Sequence, residues 1–288
     1  MIKLISFGEV LWDIYPDEKC IGGAPFNFAA HAARLGASSY LLSAVGKDTL
    51  GEETLAAVRA EGVRTELISC SNKKTGQCLV TLDERNIPSY HLLPSVAYDD
   101  IAMPTLPLDA DVFYFGTLAL REAHNRALLE EILKKHSFGE IFCDLNIRPP
   151  FSTREATRFA VENATVLKIS DEELPTVLSF LDMPSDMPYD TAARALAETY
   201  KNLSIVLITR GADGAHLYEA KGNREYNTPA VKTETVSTVG AGDSFAAAFL
   251  TRYLTARDMV SALAFASKVA AFVVSKKEAV PLYSLSDF

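Results

Sequence analysis

Basic residues, histidines and cysteines are all in short supply in this chain. Lysine and arginine number 28 against 37 aspartates and glutamates, a formal net charge of -9. That is the wrong sign for a surface that neutralises a phosphate backbone, so nucleic acid is excluded as a partner. A small anion is not excluded, because a few backbone N–H groups at one helix end make a local positive site even on an acidic protein. The four cysteines, Cys20, Cys70, Cys78 and Cys143, contain no CxxC pair and no metal-ligand spacing. Their scatter fits a reduced, cytoplasmic compartment. The five histidines, at 31, 91, 124, 136 and 216, include no HExxH, which argues against a transition metal held by protein ligands. Nor is there an apolar run of the roughly 20 residues that a membrane span needs. The longest candidate, 262–274, is interrupted by Ser267 and Lys268 and reads as a core helix. The amino-terminal run turns polar at Gly8 and Glu9 and reads as a buried first strand rather than a signal peptide. No internal repeat is present.

What the chain does have is apolar mass: 48% of its 288 residues are hydrophobic, enough for one large domain to bury a core without disulfides or a structural metal. Short runs rich in Val, Ile, Phe and Leu recur at 4–7, 40–44, 112–115, 141–143, 166–169 and 205–209. Segments of helical period separate them, for example 121–136, where Leu128, Leu129, Ile132 and Leu133 form one stripe and Lys134, Lys135 and His136 fill the last turn. Buried strands alternating with helices predict a three-layer, doubly wound α/β domain with a mostly parallel sheet. One stretch breaks the rhythm: 77–82 and 87–93 are strand-like and flank a polar turn at 83–86. With 14–21, residues 67–97 are expected to form a small β appendage, either a lid or a plain surface hairpin.

Two glycine-bearing segments carry the sharpest local signals. The first is Gly22-Gly23-Ala24-Pro25-Phe26-Asn27, a helix start with Pro in its first turn and Gly36 at its end. Asn27 and the upstream Asp13 offer an amide and a carboxylate suited to polyol hydroxyls; Asn27 as a helix-start hydrogen-bonder is the competing reading. The second is Thr238-Val239-Gly240-Ala241-Gly242-Asp243, running into a small-residue helix. There, glycines let the backbone approach a ligand, the helix start aims N–H groups at an anion, and Asp243 can accept a proton from a hydroxyl. A tight turn with an aspartate at a helix start is the plain alternative. Neither a dinucleotide GxGxxG, since Phe245 holds the last position, nor a Walker lysine is present. A serine-hydrolase elbow lacks a histidine after His216. Three strand exits add polar groups where open α/β sheets bind ligands: Asp144-Leu145-Asn146-Ile147-Arg148, Lys168-Ile169-Ser170 through Glu173, and Thr209-Arg210-Gly211 through Gly214. A capping box between Ser170 and Glu173 explains the second equally well.

Together these residues resemble the ribokinase-like (PfkB) family of carbohydrate kinases over essentially the whole chain. The two glycine signatures, in this order and near opposite ends, carry the resemblance, and the opening Gly8-Glu9-Val10-Leu11-Trp12-Asp13 is most similar to bacterial fructokinases. The resemblance implies ATP as phosphoryl donor, Mg²⁺ as counter-ion and a small-molecule sugar as acceptor. It implies Asp243 as the base, with Gly240, Ala241 and Gly242 as the anion hole. Asp13, Gly22, Gly23, Asn27 and Arg148 would bind the sugar. Asn146, Lys168, Ser170, Glu173, Thr209, Gly211 and Gly214 would serve the nucleotide side, with Glu173 reaching the metal through water. It also implies a possible homodimer through the lid. A monovalent cation is left open, because Ser237 stands where many relatives carry an acidic residue, and Ser170 stands where many carry asparagine. Fructose is the expected acceptor; 2-keto-3-deoxygluconate, ribose, a nucleoside, or a catalytically silent sugar-binding role are the alternatives.

Overall fold

The computed structural model describes residues 1–82 and 88–288; the expected turn at 83–86 lies outside the described residues. The chain runs β1 (Lys3–Phe7), β2 (Leu11–Ile14), β3 (Lys19–Gly22), α1 (Ala24–Arg34), β4 (Ser38–Gly46), α2 (Thr49–Ala60), β5 (Ile68–Ser71), β6 (Gly76–Leu82) and β7 (Pro88–Leu92). It continues through β8 (Val112–Gly116), α3 (Ala123–Lys135), β9 (Glu140–Asp144), α4 (Arg154–Asn163), β10 (Val166–Ser170), α5 (Leu174–Phe180) and α6 (Tyr189–Thr199). Last come β11 (Ile205–Thr209), β12 (Ala215–Glu219), β13 (Arg224–Thr228), α7 (Ala241–Ala256) and α8 (Met259–Val274).

Nine strands form one sheet in the order β13-β12-β11-β10-β9-β8-β1-β4-β5. All its pairings are parallel except β11–β12 and β12–β13. The expected α/β architecture is therefore present. Central strands are covered on both faces, which is why their sequences are apolar almost without alternation. In β8, for instance, every residue is buried. Its Phe113 and Phe115 enter a core shared with α3 to α6, and its Val112 and Tyr114 enter a second core shared with α1, α7 and α8. Phe28 of α1 stacks on Tyr114 with ring centroids 3.7 Å apart, fixing α1 across the strand ends. Each such fully buried side chain contributes about 1.5 to 3 kcal/mol of transfer free energy.

Local signals set the helix ends. The start of α1 carries Pro25, and its end is closed by Gly36 at φ +90°, with Gly36 N–H to Ala33 O and Ala37 N–H to Ala32 O, both at 3.0 Å. The helix expected at 121–136 begins instead at Ala123, because a separate 3₁₀ turn takes Ala119–Arg121. Among the described residues, no helix is long and apolar enough to cross a membrane.

The second sheet, in the order β3-β2-β6-β7, is narrower than the expected appendage at 14–21 and 67–97. Residues 68–71 are β5, which continues the large sheet by pairing in parallel with β4 from Ser43↔Ile68 to Gly46↔Ser71. Residues 97–99 turn back beneath it as a buried 3₁₀ turn. Conversely, Leu11, Trp12 and Asp13 belong to the small sheet. Asp13, expected after a strand, lies within β2, paired with Cys20 on one side and Cys78 on the other.

Candidate active site

Because β1, β8, β9, β10 and β11 are parallel, their carboxyl ends emerge on one edge of the sheet. The chain winds from β1 outward to β4 and β5, then returns to build β8 to β11 on the other side. That reversal between β1 and β8 is where an open α/β sheet forms its ligand crevice. The two glycine-bearing helix starts meet there. The side-chain amide of Asn27 donates to Asp243 Oδ2 at 2.9 Å, although the residues are 216 positions apart. Close by, the Lys168 ammonium would lie 3.3 Å from a Cβ placed on Gly242. That ammonium donates to Asp144 Oδ2 at 2.8 Å, the two groups sitting at paired positions of β10 and β9 and almost fully buried.

Gly240 adopts φ +79°, a left-handed conformation that suits glycine, and opens α7 with no side-chain cap. The N–H of Ala241 is turned back to Thr238 O at 3.2 Å. Among the described residues, the N–H groups of Gly240, Gly242 and Asp243 take no backbone acceptor. Of the expected anion-hole trio, then, Ala241 has its donor engaged, and Asp243 supplies an N–H that the sequence reading did not count. Free N–H groups beside a carboxylate can hold an anion while a proton is accepted next to it.

On the small-sheet side, the Asp13 carboxylate packs on Gly22, where an added Cβ would stand 3.1 Å from Oδ2. Gly23, at φ +110°, lets the backbone pass the Glu9 carbonyl, only 2.6 Å from where a Cβ would be. Burial raises the Asp13 carboxyl, while the Cys78 thiol and Arg148 partly offset it. Burial likewise raises Asp243, opposed by the Asn27 hydrogen bond and by the charges of Lys168 and Arg148. Glu9 is pushed up to about 7 by burial, with the Asp243 charge adding to it. Asp144 is raised to about 6 by burial despite its ion pair. For Lys168, burial works against the ammonium, but Asp144, Glu173 and Asp243 outweigh it and keep it charged. Arg148, exposed beyond β9, draws down Glu9, Asp13 and Asp243 alike through its charge.

The nucleotide-side expectations separate. Ser170 and Glu173 bond reciprocally in the turn ahead of α5, Ser170 N–H and Oγ–H donating to Glu173 Oε2 at 2.8 Å each and Glu173 N–H donating to Ser170 Oγ at 3.3 Å, but α5 begins only at Leu174, so Ser170 does not cap it. Glu173 Oε1 accepts the Ile147 N–H and so ties the β9 exit, including Asn146 at φ +43°, to the β10 exit. Thr209 sits beside Ser170 in the β10–β11 register, and Asp171 donates to its carbonyl at 2.9 Å. Gly211 is exposed, with open space where a Cβ would stand. Gly214 is buried against the end of β13, where an added Cβ would stand 2.0 Å from Thr228 O.

The sequence marks Asp144 only as one polar group of the β9 exit and gives Glu9 no role beyond its place in the opening Gly8-Glu9 segment. Both are nearly fully buried charged residues at strand exits, Glu9 2% exposed and with Oε2 unpartnered. Asp144 had a readable signal in the lone Lys168 within the apolar run Val166-Leu167-Lys168-Ile169, since a buried ammonium requires a partner.

The pattern of the pfkB family of carbohydrate kinases matches residues 7–284. The chain belongs to that family. It is therefore a sugar kinase, a phosphotransferase acting on an alcohol group. Among pfkB relatives, the fructokinase of Solanum tuberosum is 29% identical over 308 residues, covering 96% of this chain and 91% of that protein. A 5-dehydro-2-deoxygluconokinase of Bacillus velezensis is 28% identical, covering 91% of this chain and 83% of its own. An uncharacterized sugar kinase from Pyrococcus horikoshii solved in complex with ATP superposes with a TM-score of 0.84 at 27% identity, covering 100% and 97% of the two chains. The fructokinase of Xylella fastidiosa with bound ATP gives a TM-score of 0.88 at 23% identity over 99% and 96%, a likeness of fold.

Proposed function

We propose that this pfkB-family kinase transfers the γ-phosphate of ATP to a hydroxyl of fructose. The observation that carries the reading is the Asn27–Asp243 bond, which sets a carboxylate beside the free N–H groups of the α7 start. Asp243 takes the proton of the attacking hydroxyl as Gly240, Gly242 and Asp243 N–H groups hold the transferring phosphoryl group. A positioned base contributes roughly 10² to 10⁴ in rate, and each anion-hole donor about 3 to 4 kcal/mol. Lys168 adds positive charge at Gly242 and stays in place because Asp144 holds it.

The acceptor side favours a neutral polyol. Asp13 and Asn27 present a carboxylate and an amide, and the charge of Arg148 reaches Asp13; the charges of Asp13 and Asp243 disfavour a sugar acid. Gly22 and Gly23 let the Asp13 carboxylate and the Glu9 backbone pack closely against the start of α1, which places Asp13 and Asn27 for the sugar. Arg148 gives the second reading, a 2-keto-3-deoxygluconate-like acceptor whose carboxylate it would pair.

Among the described residues, no group of three or more His, Cys, Asp or Glu is placed to hold a metal. Mg²⁺ entering with the nucleotide would keep several waters and need few carboxylates. Glu173 would meet one such water. When bound, Mg²⁺ neutralises phosphate charge. The small sheet serves as a lid over the sugar within a single domain, and its outward Leu79, 41% exposed, suits pairing with a second copy in a homodimer. A cytoplasmic location accords with the unpaired cysteines.

A coupled ADP-release assay over fructose, ribose, 2-keto-3-deoxygluconate and adenosine tests this. Fructose should give the highest kcat/KM. Preference for the sugar acid would transfer the assignment to the second reading, and no turnover with any acceptor would refute the kinase assignment.

A further inference from the structure

Helix α1 sends two polar side chains toward the loop that opens α7, and only Asn27 has been accounted for. Four residues later, on the same helical face, stands His31, fully buried at 0% exposure. Its Nε2 lies 3.0 Å from the Ala279 carbonyl and its Nδ1 lies 2.7 Å from the Tyr283 hydroxyl. A carbonyl oxygen can only accept, so Nε2 carries the proton and donates to Ala279, and Nδ1 accepts from the Tyr283 O–H. Both ring nitrogens are thereby satisfied in the neutral form. Burial, reinforced by the charge of Arg34, holds the imidazole neutral down to about 3, although the Ala279 contact opposes this.

The Ala279 carbonyl in turn bears on Gly240. A Cβ on Gly240 would stand 2.2 Å from that oxygen, so carbonyl and glycine backbone are in direct contact. On its other flank the same loop is tied to the end of α8, where Val236 and Ser237 N–H groups donate to Val274 O at 2.8 and 3.2 Å. The loop is thus wedged between the end of α8 and the segment that follows it. One of them is pinned by a side chain outside the site.

We propose that His31 is a positioning residue: through Ala279 it fixes the Gly240–Asp243 loop and so sets the grip on the terminal phosphate of the nucleotide. This rests on the reading of that loop as the phosphate cradle. His31 touches no substrate. It acts by keeping the Ala279 carbonyl where a left-handed Gly240 must pass beneath it.

The test compares His31→Leu, His31→Gln and Tyr283→Phe by calorimetric titration of ATP and of fructose, separately, into each full-length protein. His31→Leu should weaken ATP binding about tenfold, the equivalent of one lost buried hydrogen bond, and leave fructose affinity unchanged. His31→Gln, whose side-chain amide can still donate to Ala279, should restore most of that loss. Tyr283→Phe, which removes only the donor to Nδ1, should cause a smaller ATP-specific loss. Unchanged ATP affinity in His31→Leu, or equal losses for ATP and fructose with no rescue by glutamine, would overturn the proposal. Should the leucine variant not fold, unaltered ATP affinity in Tyr283→Phe overturns it. Failure of the kinase reading looks different: the wild type would bind ATP in a His31-dependent way yet phosphorylate no sugar.

Discussion

Asn27 Nδ2 donates to Asp243 Oδ2 at 2.9 Å, and this one bond joins the two glycine-opened helices of the crevice. The amide stabilises the ionised form of a carboxylate that burial otherwise makes harder to ionise. Replacing Asn27 with leucine removes that stabilisation, so the Asp243 carboxyl should rise further. Activity that depends on ionised Asp243 falls as pH drops through its pKa, so the acid limb of kcat/KM should move to higher pH. A pH–rate profile of Asn27→Leu checks this; an acid limb coincident with the wild type would count against the coupling.

The Lys168–Asp144 pair makes a prediction about stability and a separate one about ATP. Both members are nearly fully buried, so removing either one strands a charge. Asp144→Asn or Lys168→Met should each cost about 3 to 5 kcal/mol in denaturant unfolding. The double variant should regain much of this and still bind ATP poorly, since the ammonium beside Gly242 is gone. Full recovery of ATP affinity in the double variant would show that Lys168 is structural only.

Two glycines with positive φ should respond to alanine in opposite ways. Gly240→Ala drives a methyl into Ala279 and should impair ATP binding and turnover. Gly214→Ala drives one into Thr228 and, if that packing is its whole role, should lower Tm while leaving the KM for ATP unchanged in protein that is still folded. A raised KM for ATP in Gly214→Ala would return that glycine to the nucleotide side.

Glu9 should leave its mark on the pH dependence of stability. Its carboxyl is raised from the ordinary 4.5 to about 7, so the native state holds a proton that the unfolded chain releases. That contribution is complete below 4.5 and is lost as pH rises through 7. Glu9→Gln should therefore gain stability over the wild type progressively between those values, by about 3 kcal/mol at the plateau. Parallel Tm curves for the two proteins across that range would contradict the buried-carboxyl assignment.

The parallel strands and both glycine-opened helices were legible in the sequence because their signals are local. A strand buried on two faces must be apolar, and Pro25 and Gly36 mark their helix ends directly. Partnerships were not legible. Nothing in Asp144 names Lys168, and nothing in His31 names Tyr283, because each pairing is created by sheet register or helix packing between distant segments. The small sheet was overdrawn at 67–75 because a half-buried edge strand such as Ile68–Ser71 has no alternation to distinguish the sheet it joins.

Asp243→Asn keeps the shape of the side chain and its contact with Asn27 but removes the proton acceptor. Its turnover of fructose with ATP should be measured beside calorimetric binding of both substrates. Binding should persist, and turnover should fall by about 10² to 10⁴. Turnover close to that of the wild type, with binding intact, would show that Asp243 is not the base.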